Sequence, residues 1–198
     1  GPNELFRLKA EFRALQEMEH PNLVSLGELF EDHGHWFFTM DLIRGVDILT
    51  YVRGLEEPGF FLPASGHARA NRQNLRFDEE RLRDAFGQLA SALEFIHEHQ
   101  RVHRDIKPGN ILVQPDGRLV LLDFGLVTPA EPGLQSVDHH MPVGTVTYMA
   151  PEQAASMEIS PKADWYSFGV LLFEALAGQP PFSGTYNQIL LAKRYDIP

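Results

Sequence analysis

Between residues 102 and 125 the chain reads Val-His-Arg-Asp-Ile-Lys-Pro-Gly-Asn, then twelve residues with the marks of a β-hairpin, then Asp-Phe-Gly. Ile111 to Val113 and Leu119 to Leu122 are apolar runs of strand length. Pro115-Asp116-Gly117 between them supplies a fixed φ, a side-chain acceptor and a residue tolerant of positive φ, which is what a tight turn requires. A hairpin returns its two ends to one edge of a sheet. Asn110 at its entry and Asp123 at its exit are therefore expected side by side, with Gly125 giving the backbone beyond them room to move. One local signal thus fixes both a strand register and the placement of several polar side chains.

Asp105, Lys107, Asn110 and Asp123 together suit phosphoryl transfer from ATP to a hydroxyl, a reaction catalysed mainly by positioning and charge neutralisation. Asp105 would orient the acceptor hydroxyl and take its proton. Lys107 would reach the γ-phosphate and offset the charge that develops there. Asn110 and Asp123 would offer one amide and one carboxylate oxygen to Mg²⁺, leaving room for phosphate oxygens and water around a hard cation.

Two further motifs follow in order: Gly144-Thr145-Val146-Thr147-Tyr148-Met149-Ala150-Pro151-Glu152 and Asp164-Trp165-Tyr166-Ser167-Phe168-Gly169-Val170. With the two earlier ones they resemble the catalytic core of a eukaryotic-type serine/threonine protein kinase, over nearly all of the 198 residues. The resemblance implies an α+β, protein-kinase-like fold with a mostly helical large lobe and a truncated small lobe. Residues 1–43 would be the partial small lobe, with helix C and two strands leading to a hinge, and residues 44–198 the large lobe.

Residues 144–152 match the family's substrate-docking loop, which implies a protein substrate. Lys107 implies Ser or Thr acceptors, because tyrosine kinases usually carry alanine at that point. Met149 to Gln153 is worded similarly to bacterial members. Arg104 matches the arginine that commonly meets a phosphorylated residue of the activation loop. That loop would run from Leu126 to about Met149 and holds Thr128, Ser136, Thr145 and Thr147. Ser136 is the expected phosphorylation site, with Asp138, beside His139 and His140, as a partial substitute for phosphate. Thr145 matches the threonine that hydrogen-bonds near the catalytic aspartate and lysine. His103 is expected to be a packed histidine, and Glu152 an architectural ion-pair residue left exposed or unpaired.

At the front, Phe12, Leu15 and Met18 follow helical spacing on a segment that runs into His20-Pro21-Asn22. Glu11 matches the helix-C glutamate that pairs with the ATP-holding lysine, and Leu15 a member of an apolar stack with His103 and Phe124. Leu23 to Phe30 and His35 to Leu42 read as strands turned at Asp32-His33-Gly34. By alignment, Met40 gates the back of the adenine pocket, Asp41-Leu42-Ile43 forms the hinge, and Asp47 contacts the ribose. Ile48 and Leu112 supply part of the apolar floor.

Ahead of Glu11 there are only ten residues, where the family places three strands of roughly five residues each. No Gly-x-Gly-x-x-Gly occurs, Lys9 stands too close to Glu11 to serve as the missing lysine, and the opening Gly-Pro-Asn reads as a cloning scar. The chain stops at Pro198, before helices that usually complete the large lobe. The expectation is a catalytic-domain fragment, inactive by itself, from a serine/threonine kinase that uses ATP and Mg²⁺. The alternative is a non-catalytic kinase-like interaction module. A sugar or antibiotic phosphotransferase is disfavoured by residues 144–152.

A net charge of −10 argues against nonspecific affinity for nucleic acid or anionic membrane. The absence of cysteine excludes disulfides and thiolate metal sites and fits a cytoplasmic location. No apolar run approaches the roughly 18 residues of a membrane helix. Asp78, followed by Glu79 and Glu80, reads as a helix N-cap, with Phe77 and Leu82 spaced as a staple and Leu82, Phe86, Leu89, Leu93 and Ile96 along one face. A second helix, Asp164 to Ala177, is apolar nearly all round and ends at Gly178. Between the hinge and the first of these helices, Arg53 to Arg76 reads as a solvated loop rather than a docking element, although Phe60-Phe61-Leu62 stands out in it.

Overall fold

The computed structural model describes residues 9–10, 12–33, 35–55, 77–122, 143–155 and 159–195, with backbone only for 143–145. Residues 12–16 are helical (α1), with Phe12 and Leu15 buried on its inward face as the spacing predicts, and Met18, two residues past its end, is buried as well. Glu11 lies outside the described residues.

A two-stranded antiparallel sheet follows, β1 (Leu26–Asp32) and β2 (His35–Met40), in the register Asp32↔His35, Phe30↔Phe37 and Leu26↔Met40. Both strands are shorter than the sequence reading, which began the first at Leu23 and ended the second at Leu42. Leu23 instead forms a parallel bridge with Leu121. Asn22 O accepts from Leu121 N and Leu121 O from Val24 N, so residues 22–24 are committed to the other sheet before the hairpin begins. Asp41 N donates to Ser25 O, and Leu42 is 70% exposed.

The other sheet has the antiparallel order β3 (Val46–Asp47), β4 (Ile111–Val113), β5 (Leu119–Leu121). Its β4–β5 turn is the expected one. Gly117 has φ 87° and its N–H donates to Gln114 O, while Asp116 Oδ1 accepts from Arg118 N at 3.0 Å. Gly45 is required just before β3, because a Cβ there would stand 2.5 Å from Val113 O.

Around this sheet lie α2 (Ile48–Val52), α3 (Glu79–Glu98), α4 (Val143–Tyr148), α5 (Pro151–Ala154), α6 (Lys162–Ala177) and α7 (Tyr186–Tyr195). Asp78 caps α3 by accepting from Arg81 N, and Glu79 and Glu80 sit at its positive end. The helix buries Ala85, Phe86, Leu89, Ala92, Leu93 and Ile96 in a core shared with β4, β5 and α6. Leu93 is fully buried, so Leu93→Ala is expected to lower unfolding free energy by about 2–5 kcal/mol in urea titration, with the spread set by how far the cavity collapses.

Helix α6 starts two residues earlier than the sequence reading, at Lys162, and ends at Gly178, which adopts φ 83°. It is buried on one face, against α2, α3 and α4, rather than all round: Trp165, Phe173 and Leu176 are exposed on the described structure. Arg53 is buried and donates to Glu174 O and Ala175 O at 3.1 and 2.8 Å, placing a cation at the negative end of α6. The rest of the expected 53–76 loop, residues 56–76, lies outside the described residues. No described helix is long and apolar enough to cross a membrane.

Candidate active site

Helix α3 delivers the chain into an irregular segment, residues 101–107, through Gln100 at φ 56°. Arg104 is held at φ 70°, a left-handed conformation unfavourable for a side chain of its size. What holds it there is Asp164, 1% exposed in the first turn of α6. One carboxylate oxygen, Oδ2, accepts from His103 N (2.8 Å) and His97 Nε2 (2.8 Å), while Oδ1 accepts from Arg104 N (2.7 Å). Two consecutive backbone N–H groups are thus clamped on one buried carboxylate, and Asp105 is the next residue.

His103 is buried in the packing, as expected. Its Nδ1 accepts from Asp105 N at 3.3 Å, which puts the ring proton on Nε2, 2.9 Å from Leu122 O. The ring therefore links the segment bearing Asp105 to the end of the β4–β5 hairpin. Leu122 N donates to Asn110 O at 2.8 Å, so the chain leaves the hairpin beside Asn110.

Asp105, Lys107 and Asn110 converge as the spacing predicts. Asp105 Oδ2 accepts from Lys107 Nζ at 2.6 Å and from Asn110 Nδ2 at 2.8 Å; the same amide also donates to Asp105 O at 2.9 Å. Among the described residues Asp105 Oδ1 accepts no hydrogen bond and remains available to a hydroxyl. Asn110 is buried at the end of a 3₁₀ turn, Pro108–Asn110, with both amide hydrogens used. Only its oxygen is left, and that is the group able to face a cation.

Asp47 and Leu112 are cross-strand partners on β3 and β4, two residues along from Asn110, with the buried Ile48 beside them. The Asp47 carboxylate caps α2, accepting from Leu49 N, Thr50 N and Thr50 Oγ1 at 3.1, 3.0 and 2.6 Å. Met40 ends β2 on the other sheet and is exposed, as is Asp41, while Ile43 is buried. Lys9 places its ammonium 4.6 Å from the centre of the Trp36 ring. Asp123, Phe124, Gly125, Ser136 and the histidine pair at 139 and 140 lie outside the described residues, as does the side chain of Thr145.

The segment after α4 is fastened to the same scaffold. Gln153 Nε2 donates to Arg104 O at 2.8 Å and Gln153 Oε1 accepts from Ala150 N at 3.0 Å. Tyr148 donates its hydroxyl to Glu174 Oε2 at 2.5 Å, and Ser167 Oγ donates to Tyr148 O at 2.8 Å. Lys193 reaches in from α7, and burial pushes its ammonium down to about 8. Burial, and behind it the charge of Glu152, pushes the Tyr166 hydroxyl up. Glu152 itself is half-buried with no ion pair among the described residues. The buried Arg104 Nε has no hydrogen-bond partner there.

Three residues that shape this site were not legible as such: Asp164, Gln153 and Lys193. A lone carboxylate in the first turn of a helix reads as a dipole partner, and only the three donors gathered on Asp164 show otherwise. Gln153 and Lys193 carry no sequence signal for their contacts, which depend on tertiary placement.

The family model for the protein kinase domain matches residues 3–197. The chain is 35% identical over 196 residues to ribosomal protein S6 kinase alpha-3 of Homo sapiens, covering 94% of this chain and 23% of that protein. Human ribosomal protein S6 kinase alpha-6 is 37% identical over 196 residues, with 94% of this chain and 23% of the relative covered. Human ribosomal protein S6 kinase alpha-2 is 33% identical over 182 residues, covering 90% and 21%. The chain thus spans under a quarter of the length of these relatives.

Proposed function

This chain belongs to the protein kinase domain family, and on that premise we propose that the whole protein is a serine/threonine kinase that transfers the γ-phosphoryl group of ATP to a Ser or Thr hydroxyl of a protein substrate. The observation that carries the reading is the Asp105–Lys107–Asn110 cluster, built on a strained loop that a buried carboxylate holds in place. A substrate hydroxyl would donate to Asp105 Oδ1. As its oxygen bonds to the γ-phosphorus and the bond to the departing ADP breaks, Asp105 takes the proton. Lys107, held over the same carboxylate, would supply positive charge to the transferring group.

One amide and one carboxylate oxygen are the hard donors that Mg²⁺ takes alongside phosphate oxygens and water, and among the described residues the Asn110 amide oxygen is the one group of that side chain left unused. Asn110 and Asp123 would hold the cation, whose chemistry is to neutralise phosphate charge with the phosphate oxygens completing its shell. Asp41, Leu42 and Ile43 would form the hinge along the adenine, Met40 would gate the back of its pocket, Ile48 and Leu112 would supply part of its apolar floor, and Asp47 would face the ribose from its capping position. Glu11 would pair with the ATP-holding lysine, and Thr145 would support Asp105 and Lys107. Residues 1–43 would form the small-lobe part and 44–198 the large-lobe part, in a cytoplasmic protein. The Nε of Arg104, without a partner among the described residues, supports its reading as the group that meets phosphorylated Ser136.

The test has two arms. Calorimetric titration of Mg²⁺ATP into the 198-residue chain is expected to give saturable heat that Asp123→Asn removes. Incubation of the whole protein with γ-labelled ATP and matched Ser, Thr and Tyr peptides is expected to label the first two alone. Heat and label both absent from folded protein would assign it to the interaction-module reading; label on tyrosine alone would overturn the acceptor class.

A further inference from the structure

Helix α4 is six residues long, so the carbonyls of its last turn have no helical N–H to accept from. Their partners come from elsewhere in the fold. Lys193 Nζ donates to Val146 O at 2.9 Å and Thr147 O at 2.8 Å, and to Met149 O, just beyond the helix, at 2.6 Å. The remaining carbonyl of the run, Tyr148 O, accepts from Ser167 Oγ. All four consecutive carbonyls are therefore engaged, three of them by one ammonium whose residue lies 44 to 47 positions later in the chain.

Lys193 is 9% exposed, and no carboxylate lies in ion-pair range of it among the described residues. Its charge is balanced by carbonyl dipoles at the negative end of α4, and the Tyr166 ring lies 5.2 Å from the nitrogen. An ammonium has three donors and no acceptor, and here three carbonyls use all three. The arrangement has a direction. Three of the four carbonyls of residues 146–149 thus take their hydrogen bonds from this one side chain.

We infer that Lys193 is a positioning residue that sets the backbone of residues 146–149 and, through it, the affinity for the protein substrate, without touching ATP or the reacting atoms. The substrate half of this inference rests on the proposed reading of residues 144–152 as the docking segment; the backbone half rests on geometry alone. Lys193→Met keeps the aliphatic stem and removes every donor. Lys193→Arg keeps charge and donors, and Lys193→Gln keeps two donors.

Amide hydrogen exchange read by mass spectrometry on the peptide covering residues 143–155 tests it directly. Lys193→Met is expected to raise exchange there by about tenfold or more, with protection of α3 unchanged, because buried carbonyls lose their donors. Lys193→Arg is expected to stay near wild type, and Lys193→Gln to fall between. In the kinase assay Lys193→Met should raise KM for the peptide about tenfold while KM for ATP holds, and Lys193→Arg should restore it. Unchanged exchange at 143–155 in Lys193→Met overturns the inference. So does equal loosening of 143–155 and α3 in both the Met and Gln variants, and the Gln variant decides the matter if the Met variant does not fold. Exchange needs no activity, so a loosened 143–155 in a protein that transfers no phosphate would sink the kinase reading and leave the positioning role standing.

Discussion

Asp105→Asn lowers kcat for phosphate transfer by about 10²- to 10⁴-fold, the contribution typical of a positioned general base. The substitution is nearly isosteric. An amide at residue 105 can turn its oxygen toward Lys107 Nζ and Asn110 Nδ2, the two donors that Oδ2 accepts from, and so preserve the cluster. Its nitrogen would then stand where Oδ1 stands, presenting hydrogens to the substrate hydroxyl and no site for its proton. Stability should barely move. The Asp105 and Lys107 side chains are 39% and 28% exposed, and ion pairs so open to water contribute only about 0–1 kcal/mol. Steady-state kinetics on the whole protein, paired with thermal unfolding of wild type and variant, separates the two effects. A fall in kcat of less than about tenfold would remove Asp105 from the role of base.

The parts of the fold that were legible in the sequence are those fixed by short-range chemistry. Gly117 supplies the positive φ of its turn, Asp78 the oxygen that caps α3, and Gly178 the left-handed stop of α6, each within a few residues of its effect. The parts that were not legible are decided at long range. Leu23 has strand-like neighbours, yet the hydrogen bonds from Leu121 N to Asn22 O and from Val24 N to Leu121 O draw it to the far sheet, and no local pattern encodes that choice. Asp47 shows how one side chain can be read two ways. Its position suits a ribose contact, and in the structure its carboxylate is engaged with the first turn of α2. Helix α6 is apolar enough to be central, but hydropathy says what a helix can bury and not which neighbours reach it, so Trp165, Phe173 and Leu176 remain exposed. For the site, Asp105, Lys107 and Asn110 were identified by motif spacing, and their support at Asp164 lies 54 or more residues away along the chain.

That support predicts the largest loss of stability. Asp164→Ala removes the acceptor shared by His103 N, Arg104 N and His97 Nε2, leaving two backbone N–H groups unpaired in a site with almost no access to water. Each buried donor so orphaned costs about 1–3 kcal/mol, so the two together should cost about 2–6 kcal/mol in urea or thermal unfolding. Asp164→Asn should cost less, since it keeps one oxygen and loses the other to an amide that faces a donor. Activity should fall with stability for a structural reason. Arg104 sits at φ 70°, a conformation that costs about 1–3 kcal/mol and persists only where neighbours enforce it. Once the clamp is gone, Arg104 can relax to a negative φ and swing Asp105 away from Lys107 and Asn110. Measured at a temperature where both proteins are folded, kcat of Asp164→Asn should therefore drop even though residue 164 touches neither nucleotide nor acceptor. Rescue would come from nothing added to solution, because the missing group is internal. A variant with Ala at 164 that unfolds within about 1 kcal/mol of wild type would mean that water can replace the carboxylate, and that the loop carrying Asp105 holds its shape without it.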